Sequence, residues 1–218
     1  MTYKDIHNIF RTLGQQMGMQ KNRTILPDSI NVYINSAILE KTKEELAKAV
    51  SSNVQVSADL QVPNMSLINT LGNLFRSKQI TEDNNLDLSD VMFILGASIK
   101  YDNPKDKSFR CRIVAFDVID DINSDYCNKP SKEYPVICYC DNKLNVYNDD
   151  TNYSFINLKY LKHPSKIVCN ENTDNWNTEY SDFQDNFMYE IIELAVQKYL
   201  ISIYGRPTSN DGNKQQTN

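Results

Sequence analysis

Residues 182–204 carry more apolar surface than a helix on the outside of a small protein can hide. Phe183, Phe187, Met188, Ile191, Ile192, Leu194, Ala195, Val196, Tyr199, Leu200, Ile203 and Tyr204 all fall within this one segment. Together they cover far more than the roughly 100° apolar stripe of a surface helix. Ser181 is placed to cap the segment, with Gln184 at the capping-box position, and Gly205 followed by Pro207 stops it. Such a helix is either central in its own chain or covered on a second side by a neighbour.

The other helical signals are more ordinary. Over residues 3–20, Ile6, Phe10, Leu13 and Met17 recur on one helical face, with Thr2 and Asp5 in the pattern of a capping box. Gly14 and Gly18 each weaken that helix by about 1 kcal/mol relative to Ala, so it must rely on packing. Residues 27–51 predict the clearest helix. Pro27 sits in its first turn, Ile30, Ile34, Ala37, Ile38, Leu46 and Val50 form the buried stripe, and Glu44 with Lys48 forms an i, i+4 pair on the wet side. Residues 52–64 read as an extended arm ending at Pro63. Residues 65–78 read as a short helix with Leu67, Ile68, Leu71, Leu74 and Phe75 on one face, followed by a polar loop over 81–87.

From residue 89 the pattern turns to strands. Val91–Tyr101 and Phe109–Val118 are apolar runs separated by the turn signal Asn103-Pro104-Lys105-Asp106, which predicts a hairpin. Asp120–Asn128 reads as a helical turn. Tyr134–Cys140 and Lys143–Tyr147 flank Asp141-Asn142 as a second hairpin, and Ile156–Leu161 and Lys166–Cys169 are further strand candidates. The expected fold is α+β: long N- and C-terminal helices packed with a small antiparallel β-sheet, the extended arm, and a polar C-terminal tail over 205–218. Residues 1–204 are expected to form a single subunit, mainly helical over 1–88, β-rich over 89–170 and closed by the helix at 182–204. The tail has almost nothing to bury and alone would lack a fold. The 218 residues suffice for one sizeable core, and 40% are hydrophobic.

The formal charge of −5 argues against a protein whose main task is gripping nucleic acid, although a local basic patch is compatible with it. The tight basic clusters, Lys21/Arg23, Lys105/Lys107 and Arg110/Arg112, are small and read as solvated surface. No signal peptide and no membrane-spanning segment is expected. Cys111, Cys127, Cys138, Cys140 and Cys169 are odd in number and irregular in spacing, as in reduced thiols of a protein made in the cytosol.

Catalytic signals are weak. The six glycines form no phosphate-cradling loop. His7 and His163 stand without a local motif. Cys138 and Cys140 with His163 or Cys169 make a poor zinc set, because structural zinc sites place Cys pairs two to four residues apart. Asp117, Asp120, Asp121 and Asp125 form the densest acidic group and read as a solvated turn face, and Trp176 with Tyr180 and Phe183 reads as an aromatic anchor for the last helix. No cofactor, no metal and no enzymatic activity is expected.

Several stretches carry a resemblance. Leu26-Pro27 opens a helix through Ile30-Asn31-Val32-Tyr33-Ile34-Asn35. Pro130-Ser131-Lys132-Glu133-Tyr134-Pro135-Val136 leads into a strand, followed by Asn142-Lys143-Leu144-Asn145-Val146-Tyr147. Leu158-Lys159-Tyr160-Leu161-Lys162-His163-Pro164-Ser165-Lys166-Ile167 and Tyr189-Glu190-Ile191-Ile192-Glu193-Leu194-Ala195-Val196 complete the set. This arrangement, over most of residues 1–204, resembles structural proteins of crAss-like and related tailed phages of gut Bacteroidetes. The resemblance implies a ring subunit of the virion neck or tail, a head–tail connector made in the host bacterial cytoplasm. Its partners would be copies of itself, often twelve, with the portal protein and other neck or tail rings. Genomic DNA would pass through the lumen without specific binding, and no membrane would be involved.

A closed ring needs two different sticky faces on each subunit. The candidate interface residues are Ile6, Phe10, Leu13 and Met17 on the first helix, and Phe187, Ile191, Leu194, Tyr199, Ile203 and Tyr204 on the last. The alternatives are an assembly chaperone or adaptor that leaves before maturation, and a phage enzyme without a familiar motif.

Overall fold

The computed structural model describes residues 1–19, 25–53, 70–81, 88–102, 107–140, 143–149, 151–168 and 174–205. The arm from residue 54 on, the start of the helix expected at 65–78, both hairpin turns, Cys169 and the tail from 206 lie outside them. In chain order the elements are α1 (Tyr3–Gln16), α2 (Pro27–Asn53), β1 (Phe75–Ile80), β2 (Val91–Tyr101), β3 (Phe109–Arg110), β4 (Arg112–Val114), α3 (Ile119–Ser124), β5 (Val136–Cys140), β6 (Lys143–Tyr147), β7 (Tyr153–Lys162) and α4 (Asp185–Tyr204). The mixture of helices and sheets is α+β, as expected.

The chain forms two compact units. The first joins Met1–Asn73 to Pro164–Asn218, and the second is Leu74–His163.

In the first unit α1, α2 and α4 bury their apolar faces together. Ile6, Phe10, Ile30, Ile34, Ala37, Ile191, Ile192, Ala195 and Val196 are fully buried. Each large side chain so buried contributes about 1.5–3 kcal/mol of transfer free energy. The N-terminus of α1 is a complete capping box: the Thr2 hydroxyl accepts the Asp5 N–H, and the Asp5 carboxylate accepts the Thr2 N–H. Asn35 of α2 both donates to and accepts from the backbone of Ile167, at 2.8 Å each way, and so pins the segment that follows β7. That segment, expected as a strand at 166–169, has no regular structure over 163–168 because its backbone groups pair with side chains instead.

α4 begins at Asp185, later than the sequence predicts, with Gln184 at the N-cap position and no side-chain cap. Ser181 and Asp182 are used elsewhere: the Ser181 carbonyl accepts Asn73, and the buried Asp182 carboxylate accepts the Ser165 N–H at 2.6 Å. The helix stops at Gly205 as expected, where φ is +77° and the N–H bonds to the Ile201 carbonyl.

The second unit contains two sheets rather than one. A four-stranded antiparallel sheet has the order β1-β7-β2-β3, and a three-stranded mixed sheet has the order β4-β5-β6, with β4 parallel to β5. Residues 75–80, expected at the end of a helix, are the edge strand β1. The apolar spacing of Leu71, Leu74 and Phe75 suits a helix, but pairing with β7 overrides it. The run 109–118, expected as one strand, is broken. The Cys111 N–H bonds to Ala97 of the large sheet, whereas the Arg112 N–H bonds to Pro135 beside the small one, so the chain changes sheets within two residues. Past Val114 it turns into a 3₁₀ turn and α3. One face of the large sheet, with Ile80, Ala97, Ile99, Ile156, Leu158 and Tyr160, packs with Ile137, Tyr139, Leu144 and Val146 of the small one.

Candidate assembly surface

The sequence places ten interface candidates on α1 and α4, and the structure separates them by burial. Ile6, Phe10, Phe187, Ile191 and Tyr199 are buried within the chain, Leu13, Leu194 and Ile203 are half-buried, and Met17 and Tyr204 are exposed. The buried members make the helices cohere. Tyr199 meets the Phe10 ring edge-on at 5.8 Å and the Tyr33 ring at 5.3 Å, and Phe183 meets Phe187 at 5.4 Å. His7 is fully buried, with Nε2 2.9 Å from Asn31 Oδ1 and its ring edge-on to Trp176 at 5.0 Å. Trp176 and His7 thus act together as an anchor.

The exposed members meet at one end of the helix pair. Met17 and Tyr204 line an open groove of about 580 Å³ together with Gly18, Gln197, Leu200, Ile201 and Gly205. Both helices end there on glycine. At the C-terminus of α1 the Met19 N–H reaches back to the Gly14 carbonyl at 2.9 Å, and Gly18 adopts φ +103° to allow it. A Cβ at Gly14 would stand 3.3 Å from the Met19 thioether, a tight contact to which that side chain would have to yield by a few tenths of an ångström. The lining is mainly apolar, and Ile201 is 44% and Tyr204 55% exposed. Leu200 belongs to the apolar surplus read from the sequence but not to the interface candidates, and Ile201 and Gln197 belong to neither. Ile201 follows Leu200 on the over-greasy helix, and only the three-dimensional packing tells which of its faces is left open.

The expected chemical groups remain apart. Burial pushes the Cys111 thiol up to about 12, and burial with the nearby Asp117 carboxylate raises Cys138 as well, so neither is a ready thiolate. Among the described residues no three His, Cys, Asp or Glu side chains gather to hold a metal ion. Asp125 accepts the Asn128 side-chain amide and the Cys127 N–H, the latter at 2.8 Å, and the Asn128 amide first, then the Cys127 N–H, holds its carboxyl below the usual range. Asp117, Asp120 and Asp121 are exposed. No described helix is long and apolar enough to cross a membrane.

No protein-family model and no curated protein sequence matches the chain.

Proposed function

We propose that the chain is a non-enzymatic assembly subunit that docks onto further copies of itself through the groove at the shared end of α1 and α4. The neck or tail ring of a tailed phage, beside the portal, is the assembly that its sequence resembles. The observation that carries the reading is the set Met17, Leu200, Ile201 and Tyr204, which remains open after both helices have buried their own core. A heterologous ring joins one such surface to a different one on the next copy. Exposed Phe116, Tyr126 and Tyr134 in the second unit offer apolar side chains for another contact.

Quantitative mass spectrometry of purified virions, alongside the mass of the purified protein in solution, tests the proposal. A stoichiometric component at about a dozen copies per particle supports the ring. Absence from virions sinks it and favours a chaperone or adaptor that departs during assembly.

A further inference from the structure

The stretch from Ile113 to Asn128 holds four Asp and no Lys, Arg or His. It therefore carries −4 of the chain's formal −5, and all other residues together sum to −1. The middle of the stretch is a 3₁₀ turn, Phe116–Val118, that runs straight into α3. Turn and helix together occupy about 15 Å of axis, at about 2.0 and 1.5 Å per residue. Their inner side is satisfied within the chain. Ile119 is buried with Val136 and Cys138, and Val114 and Ile122 pack against the same cluster.

Large apolar side chains remain open beside that satisfied side. Phe116 is 60%, Val118 41% and Tyr126 98% exposed. Asp117, Asp120, Asp121 and Asp125 are exposed among them. Asp117, Asp121 and Asp125 step by four residues, a spacing at which like charges on a helix repel. Among the described residues no ion pair reaches Asp117, Asp120 or Asp121. The nearest cation in sequence, Arg112, donates to the Asn128 carbonyl at 2.5 Å. Asp120 and Asp121 lie in the first turn of α3, where a carboxylate steadies the helix. That accounts for their sign, but not for the apolar groups left open beside them.

We infer that this surface docks a basic polypeptide segment in which Lys or Arg alternates with large apolar side chains. The segment's cations meet Asp117, Asp120, Asp121 and Asp125, and its apolar groups cover Phe116, Val118 and Tyr126. Charge complementarity selects the occupant. A nucleic acid is repelled, and so is the same surface of a second copy, which carries the same four charges. A neutral apolar partner would leave the carboxylates repelling one another. The inference names a partner for apolar side chains of the second unit. It stands whether or not α1 and α4 join copies in a ring, because peptide binding is read on the chain alone.

The test is fluorescence anisotropy with the full chain. The probe is a labelled synthetic peptide of about fourteen residues in which Lys alternates with Leu and Phe. Replacing three carboxylates together (D117N, D120N, D121N) is expected to weaken binding about tenfold and to flatten its salt dependence. Tyr126→Ser changes a side chain outside the core and is expected to weaken binding about fivefold through the lost apolar contact. A control that removes three exposed carboxylates elsewhere (D149N, E190Q, E193Q) is expected to leave binding within about twofold. Hydrogen exchange with the peptide bound is expected to slow over residues 113–126. The inference is overturned if the wild-type chain does not bind the peptide at low salt, or if the control weakens binding as much as the triple change. It is equally overturned if a peptide of Lys alone binds as tightly, or if exchange slows elsewhere and not over 113–126.

Discussion

Tyr180 and Asp182 show how much of this chain is held by single polar side chains. The Tyr180 hydroxyl donates to the Ser165 carbonyl at 2.9 Å, and the Asp182 carboxylate accepts the N–H of the same residue. Burial, and next the Asp182 charge, pushes the Tyr180 phenol well above its ordinary value. A group whose folded pKa is raised contributes stability in full below its unfolded pKa, about 10 for tyrosine, and loses it as pH rises through the folded value. Tyr180→Phe is therefore expected to cost about 1 kcal/mol at pH 7 from the lost hydrogen bond. It should also reduce the fall in melting temperature above about pH 10, where only the wild-type chain gains by ionising on unfolding. Thermal melts at neutral and alkaline pH read both effects. The thiols give a second expectation at this scale. Exposed Cys127 should be alkylated quickly in the folded protein, while buried Cys111 reacts only on unfolding. Peptide mass spectrometry after timed labelling separates the two, and equal rates would show that the second unit opens freely.

At the scale of elements, local signals decided the ends of helices wherever the capping residue had no competing partner. Thr2 with Asp5, Pro27 and Gly205 mark their boundaries in sequence and in structure alike. Ser181 looked equally good, but α4 starts beyond it, because Asp182 reaches the backbone of Ser165 and no local pattern reports a partner so distant. The same holds for β1, whose ladder partner β7 lies far along the chain, and for the break at Cys111, where one residue bonds to each sheet. Gly18 is the element boundary that a substitution would test most directly. Its φ of +103° strains any L side chain, so Gly18→Ala is expected to destabilise the chain by about 1 kcal/mol or more, although open space surrounds the position. Chemical denaturation gives the figure, and an unchanged midpoint would mean that the turn relaxes.

At the scale of the molecule, composition conceals what pairing reveals. The chain carries a net charge of −5, yet the four strands that pair into the large sheet hold six Lys and Arg and no Asp or Glu. The candidate interface was legible in part. The sequence gives the surplus of apolar residues on α4, and only packing shows that Phe187, Ile191 and Tyr199 spend it inside the chain while Ile201 and Tyr204 do not. Because Ile201 and Tyr204 are outside that core, Ile201→Ser with Tyr204→Ser is expected to shift the melting temperature little, within about 0.5 kcal/mol of stability per site. Any self-association seen by sedimentation should be lost, whereas association that survives both changes would place the contact elsewhere.

The first unit is assembled from both flanks of the second, and this has a consequence during synthesis. α1 and α2 leave the ribosome with Ile6, Phe10, Ile30 and Ile34 uncovered, because the helix that covers them is among the last segments made. At about 5–20 residues per second, they wait roughly ten to thirty seconds for α4. A chain stalled before residue 185 would lack α4 and leave the apolar faces of α1 and α2 without the helix that covers them.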